Sequence, residues 1–179
     1  MINVDNWQTS AGVNQQTIIQ TKVKNYIDTF STNGSQADRI VIPNFYVDIT
    51  PKYNNSKIIV MCSIAIGWSN TPEWSWFVDR TVGAVTTKVG AAARVGNRMN
   101  GYHGGPRDGG ANNWVREVES FSNCLTDTPN TTSSCRYQVC LQDWWANYTY
   151  KYVNRSGDDS NNGYHTRGSS NLIVMEVRQ

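Results

Sequence analysis

The sequence predicts an all-β fold, a sandwich of two packed sheets. The clearest sign is apolar residues recurring at period two, as where Phe45, Val47 and Ile49 alternate with Tyr46, Asp48 and Thr50. Turns rich in Gly, Asn, Ser, Thr and Pro separate such segments. Counting them gives about eight to ten strands joined by long loops, for which two packed sheets are the natural solution.

The chain has 179 residues and a mass of 20.1 kDa, enough for one domain with a substantial core. Its apolar fraction of 39% is modest, whereas seven Trp and nine Tyr supply wide flat surfaces for a core or a contact. A formal net charge of +2 without a dense Lys/Arg cluster argues against nucleic acid as a partner. No run of about 18 apolar residues exists, which argues against membrane insertion. The first seven residues, Met1 to Trp7, have neither the basic nor the apolar region of a secretion signal, so synthesis and folding in a cytoplasm are expected.

Residues 1–16 are polar apart from Trp7 and Val13 and read as an N-terminal arm, leaving 17–179 as the folded domain. Ile19, Val23, Tyr26, Ile27 and Phe30 have helix-like spacing, but β-branched residues from Thr17 to Val23 favour a strand. Pro43 marks the following strand as an edge strand or a bulged one. Lys57 to Trp68 places Ile58, Val60, Cys62, Ile64, Ile66 and Trp68 on one face and Ile59, Met61, Ser63 and Ala65 on the other, as a central strand should. Cys62 is then a buried packing thiol.

Trp74, Trp76 and Val78 resume the alternation, and Asp79-Arg80-Thr81 reads as the next turn. Thr81 to Val95 offers one or two short strands, and Gly96–Asn113 is the longest stretch without a period. Val115–Leu125 and Cys135–Trp145 flank the Asp127–Ser134 turn as a hairpin, with Tyr137, Val139 and Leu141 facing inward. Cys124 and Cys135 would stand at its two mouths, a candidate disulfide if the surroundings are oxidising. Tyr148, Tyr150 and Tyr152 form a one-sided aromatic row and a candidate subunit interface. Asn154–Ser170 is a second polar loop, and Asn171–Val177 ends the domain with Met175 and Val177 closing the core.

Chemistry is sparse. His103 and His165 lie in Gly- and Asn-rich loops without a neighbouring ligand, so both are read as exposed loop histidines. No carboxylate pair stands out, the Asp158-Asp159 loop has no calcium-loop spacing, and the Gly pairs at 104–105 and 109–110 lack a following Lys-Ser/Thr. No catalytic residue, metal site or cofactor is therefore assigned. Sugar binding is the reading with most physical content, since exposed rings stack on the apolar faces of a pyranose. Candidate contacts are Tyr102, His103, Arg107, Trp114, Trp144 and Trp145. Trp68, Trp74 and Trp76 belong to the same aromatic pool, with the core as their alternative place.

Several stretches resemble a family of small all-β fibre-head or virion-surface domains of tailed phages and large DNA viruses of aquatic microbes. Val47-Asp48-Ile49-Thr50-Pro51-Lys52 and Ser56-Lys57-Ile58-Ile59-Val60 are similar to the family's first strand pair. Asp127-Thr128-Pro129-Asn130-Thr131-Thr132 with Tyr137-Gln138-Val139 is similar to its hairpin. Asn154-Arg155-Ser156-Gly157 and Ser170 to Val177 are similar to its ending, whereas its R-x-G-T is reduced here to Asp79-Arg80-Thr81-Val82-Gly83. The resemblance implies a jelly-roll-like (TNF-like) sandwich, a homotrimer in the virion, assembled in the host cytoplasm and active in adhesion or decoration without catalysis. Under it the arm would dock other virion proteins and the head would meet a host receptor. A lectin module and a polysaccharide-degrading enzyme are the competing readings.

Overall fold

The computed structural model describes residues 17–33, 38–68, 74–104, 118–143 and 150–179. The expected arm, residues 1–16, lies outside them. Among the described residues eleven strands are formed: β1 (Ile18–Tyr26), β2 (Phe30–Thr32), β3 (Ile40–Ile49), β4 (Lys57–Trp68), β5 (Trp74–Val82), β6 (Val85–Lys88), β7 (His103–Gly104), β8 (Glu119–Asp127), β9 (Cys135–Asp143), β10 (Lys151–Val153) and β11 (Ser170–Val177). The segment 17–30 is thus strand rather than helix, with a break at 27–29 between β1 and β2, as its β-branched content favours.

All pairings are antiparallel, in two sheets. In the first, β11 lies between β1 and β4, β8 takes the other edge of β4, and β10 extends the β11 side and carries β2. The second runs β3-β9-β5-β6, with β7 beside β6 on the same edge of β5. β4 is the central strand that its two apolar faces imply: Ile58, Val60, Cys62, Ile64, Ile66 and Trp68 all enter the core. Phe45, Val47 and Ile49 meet them from β3, Trp74, Trp76 and Val78 from β5, and Tyr137, Val139 and Leu141 from β9. Each large apolar side chain so buried contributes about 1.5–3 kcal/mol. β3 is an edge strand whose register slips between Val41 and Tyr46, around exposed Pro43 and Asn44 at φ 60°. A bulge is where an edge strand accommodates proline.

Three expectations are corrected. Asp79-Arg80-Thr81 is not a turn but the end of β5; the chain reverses at Gly83-Ala84, with Gly83 at φ 57° in the first position of a two-residue loop. Partners hold the polar triplet extended: Arg39 Nε lies 2.7 Å from Asp79, and Arg80 Nη1 donates to both oxygens of Asp127 at 2.6 and 2.7 Å.

The 127–134 segment does not close a hairpin either. β8 pairs with β4, whereas β9 pairs with β3 and β5, so the connection crosses from one sheet to the other. Asp127 fixes the crossing, accepting from Arg80 of β5 and, at 2.8 Å, from Tyr137 Oη of β9. Alternation tells which side of a strand is buried, not which sheet it joins.

The third correction concerns β11. Its core side carries Leu172, Val174 and Glu176, while Met175 faces outward and is half-buried. Val177 is buried. Glu176 is a joint: Oε1 accepts from Ser56 Oγ at 2.6 Å, Lys52 N at 2.7 Å and Tyr53 N at 3.4 Å, and Oε2 accepts from Gln20 Nε2. Burial alone would raise its pKa, but those bonds outweigh it and hold the carboxyl below its usual value. Such a depressed acid stabilises the fold fully above its unfolded pKa, and that contribution is lost as pH falls through the folded one. Glu176→Gln should therefore cost about 1–2 kcal/mol at pH 7 and make stability fall less steeply on acidification. Urea midpoints at pH 7 and pH 3 measure both, and an unchanged acid slope would reject the joint.

Candidate functional site

The aromatic pool divides on burial. Trp68, Trp74 and Trp76 are core residues. Tyr102, a candidate receptor contact, is built into the fold instead: its ring stands edge-on to Trp76 at 5.0 Å, and its hydroxyl donates to Val89 O at 2.6 Å and accepts from Val78 N at 3.1 Å. Burial pushes that hydroxyl's pKa up. The backbone of His103 pairs with Trp76 in β7. Arg107, Trp114, Trp144, Trp145 and Tyr148 lie outside the described residues.

Of the expected tyrosine face, Tyr150 is exposed and stacks at 6.0 Å on Tyr152, which is itself buried. Cys124 and Cys135 are free thiols on strands of opposite sheets, one exposed and one buried. His165, expected at the surface, keeps its ring largely covered, with Nε2 3.5 Å from Asp158. No group of three His, Cys, Asp or Glu among the described residues is placed to hold a metal.

Two surfaces remain. On the outer side of the second sheet a polar groove of about 350 Å³ opens. Its floor is Phe77 and Asp79 of β5 and Gln142 of β9, all buried although they point away from the core. The segment after β6 folds back along β5, with Val89 N donating to Val78 O at 2.9 Å and Tyr102 N to Trp76 O at 2.8 Å, and so raises one wall. Asp38 and Arg39 raise the other.

Lys88 Nζ sits 3.7 Å over the Phe77 ring and donates to Asn100 at 2.8 Å and Gln142 at 3.3 Å. Gln142 Nε2 donates to Asp38 at 3.0 Å, and Arg94 Nη1 meets the same carboxylate at 3.0 Å. Burial raises the pKa of Asp79, opposed chiefly by Arg39, and burial lowers that of Lys88, opposed chiefly by Asp79. The groove escaped the sequence reading because its parts come from four separated segments. A large apolar Phe77 on the non-core side of β5 was the available signal that something covers that face.

The outer side of the first sheet differs. Its register aligns Val23, Ile173, Met61 and Cys124 in one row, flanked by Thr21, Met175, Ile59 and Thr126 and by Asn25, Asn171, Ser63 and Ser122. None of these residues is charged, and Val23 and Met61 are 56% and 39% exposed. By contrast Lys22 and Lys24, opposite Val174 and Leu172, point toward the core side of the edge strand β1 and guard it against further pairing.

The arrangement defines a two-sheet antiparallel β protein. No family model matches the chain, and no curated protein matches it. Among solved structures it is similar to a chain in the structure of infectious bursal disease virus Gx strain, at 12% identity and a TM-score of 0.39. The similarity covers 98% of this chain and 44% of that one, so the chain spans less than half of the length of its structural neighbour.

Proposed function

We propose that the chain is a structural, non-enzymatic virion-surface protein: a jelly-roll head that forms a homotrimer and serves host adhesion or particle decoration, with residues 1–16 docking other virion proteins. Strand order carries the reading. β1-β11-β4-β8 faces β3-β9-β5-β6, and the chain passes between the sheets at the β2–β3, β3–β4, β4–β5, β7–β8, β8–β9 and β9–β10 connections. The last long strands, β9 and β11, are inserted between β3 and β5 and between β1 and β4, as two interlocked Greek keys require. That architecture recurs in capsid and lectin domains, and the assignment to a particle rests on the motif resemblance.

The uncharged outer face of the first sheet supports assembly, since interface centres are depleted of charge. It replaces the tyrosine row as the proposed trimer face. Light scattering on the eluting chain should give about three times 20.1 kDa, and Met61→Glu should reduce this to the single-chain mass with little change in melting temperature. A single-chain mass for the parent at every concentration would reject the trimer. Antibody labelling of intact particles tests the location: unlabelled surfaces would reject display.

A further inference from the structure

We infer that the polar groove on the outer face of the second sheet binds a carboxylated sugar, a sialic acid or a hexuronic acid, through Arg94, Lys88 and Asp38. Its volume of about 350 Å³ lies in the small-ligand range. Its floor is set on two paired strands, β5 and β9, which hold side chains more firmly than loops do.

Charge selects the ligand. Arg39, Lys88 and Arg94 face Asp38 and Asp79, leaving one positive charge in excess. The two anions differ in depth. Asp79 is buried and held by Arg39, with Cys140 Sγ 3.6 Å away, so it belongs to the scaffold. The Arg94–Asp38 pair is open, at 37% and 70% side-chain exposure, and so contributes little by itself. An incoming carboxylate can therefore take the place of Asp38 on the Arg94 guanidinium, which presents a planar fork of donors. The released Asp38, with Asn100 and Thr86, then accepts from hydroxyls.

One negative charge with many hydroxyls fits this mixture of donors and acceptors. A doubly charged phosphate would meet two carboxylates, and a neutral sugar would leave the excess charge unanswered. Ring stacking has no part, because the Lys88 ammonium already covers Phe77. The groove would give the adhesion reading its ligand class, while binding itself requires neither a trimer nor a particle.

Chemical-shift titration of the full chain with N-acetylneuraminic acid, glucuronic acid and glucose separates the cases. One of the two acids should bind with a Kd of about 1 mM, shifting amides of 77–100, and glucose should not. Arg94→Gln should weaken binding at least tenfold at an unchanged melting temperature. Asp38→Asn keeps an acceptor but removes the competing anion, so it should bind as tightly or tighter. Failure of both acids, equal binding of glucose, an undiminished Arg94→Gln or a weakened Asp38→Asn would each overturn the inference. A single-chain protein that binds would reject the trimer and leave the groove, whereas a trimer that binds neither acid would do the reverse.

Discussion

Replacing Lys151 with Met should lower the melting temperature by roughly 10 °C, the largest single effect expected in this chain. Lys151 of β10 meets Asp143 of β9, and both side chains are 1% exposed. Burial lowers the ammonium pKa, and the Asp143 carboxylate opposes the shift. Removing one partner of a buried ion pair costs about 3–5 kcal/mol. The pair also spans the sandwich, since β9 belongs to the second sheet and β10 to the first.

The double change Asp143→Leu with Lys151→Met separates charge from shape. A buried pair replaced by apolar groups of similar size is often neutral or stabilising, so the double variant should recover most of the loss. A Lys151→Met protein within about 1 kcal/mol of the parent would show that the pair is no clamp. A double variant as unstable as the single one would show that packing, rather than the broken charge pair, carries the effect.

Much of the scaffold was legible because its residues state their surroundings locally. Ile58 to Trp68 is largely apolar on both faces and rich in β-branched residues, which serves a central strand and little else. Pro43 announces an edge. The sheet to which β8 and β9 belong was not legible, because it depends on contacts with strands far away in sequence. Asp127 illustrates this: it reads as a turn residue, yet it ties β8 to Arg80 and Tyr137 across the sandwich.

The stretches that carry the family resemblance meet in the same way. Ser56 and Glu176 come from different motifs and share a hydrogen bond of 2.6 Å, and so do Asn154 and Ser170. Their polar residues join segments of the fold. They carry no sign of the groove.

Asn154 is the second position where a large loss is expected, because backbone and side chain are both committed. It is fully buried at φ 61°, in the left-handed region that Asn tolerates better than Ala does. Its Nδ2 donates to Tyr26 O at 2.8 Å and Asp28 O at 2.9 Å, and its Oδ1 accepts from Ser170 Oγ at 2.6 Å. Its backbone donates to Ala65 O at 2.9 Å and accepts from Gly168 N at 3.0 Å. A Cβ on Gly168 would come within 2.8 Å of the Ala65 Cβ, so the chain cannot shift to supply substitutes. Asn154→Ala takes the side-chain donor from two carbonyls and the acceptor from the Ser170 hydroxyl and adds backbone strain, for a total of about 4 kcal/mol. Asn154→Gly loses the same bonds without the strain and should be about 1 kcal/mol less harmful. Denaturant midpoints of the two variants separate the terms: equal midpoints would remove strain from the account, and two parent-like midpoints would remove the joint itself.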